Sequence, residues 1–147
     1  MVKPIMKLCS YNFTKVHLDV LMGEQVEKSV RPLQTLVDFV SKKGTNQYLV
    51  ILGVRKGADD VSLKSPAYSF TIEMVGLFEL DEKMLKEDRK HTEELFRVNA
   101  PSLLFGSARE LLLQLTSRSV AGPYVLPTVA FLDLKDKPIR EEAQVKE

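Results

Sequence analysis

The character of this chain changes at Asp81. Before it, apolar and β-branched residues recur in short runs separated by turn residues. After it, the stretch from Glu82 to Phe96 (EKMLKEDRKHTEELF) is rich in helix formers and poor in β-branched residues. Strands first and helix afterwards is the order of an α+β domain. With 147 residues, the chain can bury one sheet face under a helix but not two independent cores. A single domain is expected over 1–147, with its core at 5–134 and a charged tail at 135–147.

Four strands are expected. The region from Ile5 to Leu21 mixes alternation with β-favouring residues and is clearest as a strand from Phe13 to Val20. The polar stretch from Met22 to Arg31 reads as an exposed crossing segment. A second strand near Leu36 to Ser41 and a third from Tyr48 to Arg55 flank Lys43-Gly44-Thr45-Asn46, which supplies the turn of a hairpin. A polar loop broken by Pro66 leads to the fourth strand, from Tyr68 to Leu80. Asn99-Ala100-Pro101-Ser102 then supplies start signals for a helix from Leu103 to Arg118, with Asn as cap and Pro in the first turn. Its apolar residues cover more than one narrow stripe, as on a helix buried on two sides. Gly122 and Pro123 end it, and an extended segment from Tyr124 to Leu134 follows.

Composition narrows the function. Apolar residues are 44% and charged residues 28% of the chain, which excludes the composition of a disordered polypeptide. Lys and Arg number 21 against 20 Asp and Glu, so no net field points to nucleic acid or an anionic membrane as partner. Cys9 is the only cysteine, which excludes an intrachain disulfide and reads as a buried or half-buried thiol. The amino-terminal apolar residues are interrupted by Pro4, Ser10 and Asn12, and no run approaches the roughly 20 apolar residues of a membrane span. Cytoplasmic residence without membrane insertion is the expectation.

No chemistry is expected of the chain. His17 and His91 lie on different elements without metal-ligand spacing. Ser62, Ser102 and Ser107 lack a nucleophile-elbow context, and no phosphate-binding glycine motif is present. Neither catalytic residue, metal nor cofactor is therefore assigned. The charge run from Lys86 to Glu94 reads as a solvated helical face, and Arg109-Glu110 as a structural or interface ion pair.

The run Asn99-Ala100-Pro101-Ser102-Leu103-Leu104-Phe105-Gly106-Ser107-Ala108-Arg109-Glu110, the helix end Ser117-Arg118, and Pro123-Tyr124-Val125-Leu126-Pro127-Thr128-Val129-Ala130-Phe131 resemble the most characteristic segment of the SecB protein-export chaperone family. The resemblance implies a four-stranded antiparallel sheet with the long helix packed on one face, assembled as a homotetramer, a dimer of dimers with helices at the interface. It implies an ATP-independent holdase for unfolded preproteins. The client groove is expected at Val37, Phe39, Tyr124, Leu126, Val129 and Phe131, and the oligomer interface at Leu104, Ala108, Leu111 and Leu115. Docking of the export motor SecA is expected through Asp19 and Glu73. Family members are strongly acidic whereas this chain is nearly neutral, which points to a first alternative, a SecB-like chaperone dedicated to one client such as an antitoxin. A second is a small-molecule-binding α+β domain.

Overall fold

The computed structural model describes residues 4–21, 33–57 and 67–142. The whole crossing segment and most of the polar loop before Pro66 lie outside them. Strands β1 (Met6–Leu21), β2 (Gln34–Lys42), β3 (Gln47–Lys56) and β4 (Ala67–Leu80) precede helices α1 (Glu82–Glu87) and α2 (Arg89–Thr116). A 3-10 turn at Leu132–Leu134 and a short strand β5 (Arg140–Glu142) follow. The sheet order is β1-β4-β3-β2-β5. The first four strands pair antiparallel, as expected, and β5 joins as a fifth strand parallel to β2. The charged tail expected at 135–147 thus contributes ordered sheet at 140–142.

Period-2 alternation places Val37 and Phe39 of β2, Val50, Leu52 and Val54 of β3, and Phe70, Ile72, Met74 and Phe78 of β4 on one face, all buried. β1 reaches the same face by a different pattern. Register shifts at Leu8/Ser10 and Phe13/Lys15 each insert one residue and reverse the parity. Met6 and Leu8, then Tyr11 and Phe13, then Val16, Leu18 and Val20 therefore all align with inward-facing residues of β4. In the β2–β3 turn, Gly44 adopts φ 76°, and the Thr45 N–H donates to the Lys42 carbonyl at 3.1 Å.

The helix does not start at Asn99. Asp81 caps α1 by accepting from the Lys83 N–H at 3.0 Å, and Asp88 caps α2 by accepting from the His91 N–H at 3.1 Å. α2 then runs 28 residues with Pro101 in its interior. Thr92, Phe96, Ala100, Leu104, Ala108, Leu112 and Thr116 are all buried and form one continuous row at a spacing of four. Pro101 removes one i→i−4 hydrogen bond, and packing of the row on the sheet outweighs that loss. Asn99, expected as a cap, instead donates its side-chain amide to the Leu95 carbonyl at 2.8 Å.

Candidate functional site

The segment after α2 is tied to the helix and sheet by specific bonds. Thr116 Oγ1 donates to the Leu112 carbonyl at 2.6 Å and accepts from the Tyr124 N–H at 2.8 Å. Gly122 takes φ 81° in the helix-ending turn, and its carbonyl accepts from the Tyr68 hydroxyl. Arg109 Nε donates to the Leu126 carbonyl at 3.2 Å, with its guanidinium 5.7 Å from the Phe105 ring centroid. Arg109 is thus turned to the loop, and within the described residues it does not pair with Glu110.

These bonds fix which side chains turn inward among those expected to line the groove. Val37, Phe39, Leu126 and Phe131 are core residues. Phe39 meets Phe96 edge-on at 5.5 Å between centroids, and Phe131 meets Phe105 at 5.9 Å. Tyr124 is half-buried between Tyr68 and Phe70, with the Lys56 ammonium 5.1 Å over its ring. Val129 is half-buried against the core. The accessible apolar surface belongs to their neighbours: Val125 is 60% and Leu132 68% exposed.

The expected interface divides in the same way. Leu104 and Ala108 are fully buried against the chain's own sheet, Leu111 is half-buried, and Leu115 is exposed. Leu103 and Leu113 join Leu115 as exposed apolar side chains of α2. Facing α2 on the helix side of β1, Tyr11 and Val16 are 44% and 46% exposed, and Val20 is exposed as well. Between the two elements lies an open groove of about 460 Å³ whose lining includes Tyr11, Phe13, Leu103 and Leu111. Among the described residues β1 is also a sheet edge, so none of them pairs with its outer backbone groups beside its helix-side apolar surface.

Asp19 and Glu73 share the opposite face, each with a polar or basic neighbour. His17 Nε2 lies 2.7 Å from Asp19 Oδ2. Arg55 lies 3.7 Å from Glu73, which also has Lys15 opposite it in the ladder. Leu36 and Ile51 are exposed on that face, so it is mixed rather than acidic.

Cys9, expected to be buried or half-buried, is exposed at the first register shift of β1. At the far end of the sheet the Tyr48 hydroxyl accepts from Arg89 at 3.3 Å and donates to Glu93 at 3.4 Å. Burial, reinforced by the Glu93 carboxylate, pushes the Tyr48 phenol above its ordinary range. Among the described residues no group of three or more His, Cys, Asp or Glu is placed to hold a metal ion. None of their helices is long and apolar enough to cross a membrane.

No protein-family model matches the chain. A solved SecB-like chaperone of Mycobacterium tuberculosis, in complex with a ChAD peptide from the HigA1 antitoxin, superposes with a TM-score of 0.58 over 84% of this chain and 90% of that one, at 12% identity. The protein-export protein SecB of Anaplasma phagocytophilum is 31% identical over 85 residues, 58% of this chain and 53% of that protein. The fold is SecB-like. The chain's match spans about half the length of the curated SecB relative. On α2 and the loop beyond it, the accessible apolar side chains differ from those expected from the sequence. The row from Thr92 to Thr116 was the missed signal on α2, because it assigns Leu104 and Ala108 to the sheet and leaves Leu103, Leu113 and Leu115 outside it. For Val125 and Leu132 no pattern in the sequence carried the signal, since the bonds from Arg109 and Thr116 set the alternation.

Proposed function

We propose that this SecB-like protein is an ATP-independent holdase, cytoplasmic and homotetrameric, that binds unfolded polypeptides along exposed apolar surface and performs no catalysis. One observation carries the reading. Apolar side chains stand exposed on three elements at once, Tyr11 and Val16 on β1, Leu103 and Leu115 on α2, and Val125 and Leu132 beyond it. Exposed apolar surface in patches marks interaction sites, and Tyr11 and Leu103 line one such groove together. The uncovered edge of β1 with the adjoining side of α2 suits a second copy, because a two-fold pairing of β1 strands would continue the sheet and cover both. The loop residues would then remain for clients. Each anchored client side chain contributes about 1–2 kcal/mol, so useful affinity comes from one client engaging several protomers.

The open face favours a dedicated client over general preprotein export. Asp19 beside His17, and Glu73 between Arg55 and Lys15, do not make the acidic surface that docking to SecA would call for. The antitoxin peptide bound to the structural neighbour accords with that choice. Light scattering of a chemically unfolded, slowly folding preprotein, without nucleotide, tests the holdase reading: aggregation suppressed near one tetramer per client supports it, and unchanged aggregation overturns it. Repeating the assay with an antitoxin encoded beside the gene separates a dedicated client from a general one.

A further inference from the structure

Beyond β2 the sheet ends on the chain's own carboxy-terminal segment, and the way that segment is held is unusual. β5 pairs with β2 in parallel register, Val40 with Arg140, Ser41 with Glu141 and Lys42 with Glu142. All three β5 residues are exposed, so the strand is attached by backbone pairing with almost no apolar burial to reinforce it. The remaining attachments are polar. Ser41 Oγ donates to the Arg140 carbonyl at 3.5 Å, and the Lys43 N–H donates to the Glu142 carbonyl at 3.5 Å. Lys137 Nζ donates to the Val37 carbonyl and lies 3.7 Å from the Asp38 carboxylate. Arg97 Nη1 donates to the Lys135 carbonyl at 3.0 Å, while its buried Nε has no partner. Ile139 alone adds a half-buried aliphatic contact with the core.

A strand edge with free N–H and C=O groups is a template for another extended chain. At β2 that template is filled by a strap whose attachments are polar and mostly exposed, the properties of a segment that opens locally without global unfolding. We infer that the strap at 135–142 is a built-in competitor: it occupies the β2 edge when no client is present, and an extended segment of an unfolded polypeptide displaces it and adds to β2 in its place. The inference rests on the holdase reading and deepens it by naming a backbone-pairing site separate from the exposed apolar side chains. The strap is the stand-in for the occupant. It leaves a turn in which the Lys137 N–H donates to the Leu134 carbonyl at 3.0 Å, lays Lys137 against Val37 and Asp38, and presents Ile139 to the core before pairing begins. With the strap closed for most of the time, apparent client affinity is reduced by the fraction of molecules that are open.

A reversible lock tests this in the full chain. The variant carrying Cys9→Ser, Ser41→Cys and Glu141→Cys places two thiols at paired positions of β2 and β5, where a disulfide can close across neighbouring strands. The probe is a fluorescein-labelled secretory protein, reduced and carboxymethylated so that it stays unfolded without denaturant. The oxidised variant is expected to bind it about tenfold more weakly than the same variant after reduction, which is also its folding control. Lys137→Ala, which loosens the strap, is expected to tighten binding about threefold. Equal affinity of the oxidised and reduced forms overturns the competitor while leaving the holdase reading standing. Absence of client binding by the wild-type protein and by every variant overturns both.

Discussion

Leu104 occupies the space that a side chain on Gly76 would need. A β-carbon at Gly76 would stand 2.8 Å from Leu104 Cδ2 and 3.1 Å from Cδ1, with Phe78 Cε2 at 3.0 Å. This contact sets how closely α2 approaches the middle of the sheet. Gly76→Ala is expected to destabilise the fold by about 1–3 kcal/mol through overpacking, and Leu104→Ala by about 2–5 kcal/mol through a cavity. In the double variant the methyl group introduced by Gly76→Ala enters the space Leu104 vacates, so the loss is smaller than the sum of the two. Urea unfolding of the four proteins in this cycle measures it, and strict additivity would contradict the contact.

Neighbouring loop positions are expected to separate stability from binding. Leu126 is buried, whereas Val125 and Leu132 face solvent. Leu126→Ala is expected to cost about 2–5 kcal/mol. Val125→Ser with Leu132→Ser is expected to leave stability within about 0.5 kcal/mol per site while weakening client binding severalfold. Denaturation midpoints and client titrations on the same preparations check both parts.

The exposed leucines of α2 are predicted to lie within the assembly. Leu103→Glu with Leu115→Glu places charge on the side of the helix turned away from its own core. The scattering mass is expected to fall from that of the oligomer towards one chain, with the far-ultraviolet circular dichroism retained. An unchanged mass would remove these residues from the interface.

Tyr48 gives a pH dependence with a definite sign. Its phenol is held above the ordinary value of 10.0, first by burial and then by Glu93. The folded chain therefore keeps this proton more tightly than the unfolded chain does. The associated stability is complete below the unfolded pKa near 10.0 and is lost as pH rises from there through the folded value. Tyr48→Phe is expected to flatten the fall in stability above that pH while losing the hydrogen bonds to Arg89 and Glu93. Equilibrium unfolding followed from neutral to alkaline pH compares the two proteins.

Strands β2, β3 and β4 were legible in the sequence because each keeps a strict two-residue alternation or a bounded apolar run between turn residues. The amino-terminal half of β1 was not, because its register shifts at Leu8/Ser10 and Phe13/Lys15 change the parity within one strand. The helix start was misplaced because Asn99 and Pro101 are local start signals, and the buried row from Thr92 to Thr116 overrides them through tertiary packing. β5 could not be read from Arg140-Glu141-Glu142, since its pairing uses the backbone and leaves its side chains in solvent. The family resemblance directed attention to α2 and the loop after it. Whether a given residue on them faces the core or the solvent depends on bonds made far away in sequence, such as that from Arg109 to Leu126.

An unfolded client held on exposed apolar surface within an assembled oligomer is the function proposed for this chain. Size-exclusion chromatography with multi-angle scattering, on the protein alone and mixed with a stoichiometric unfolded client, measures both properties at once. A mass of about four chains that increases by one client without nucleotide is expected. A monomer that elutes apart from the client would contradict it.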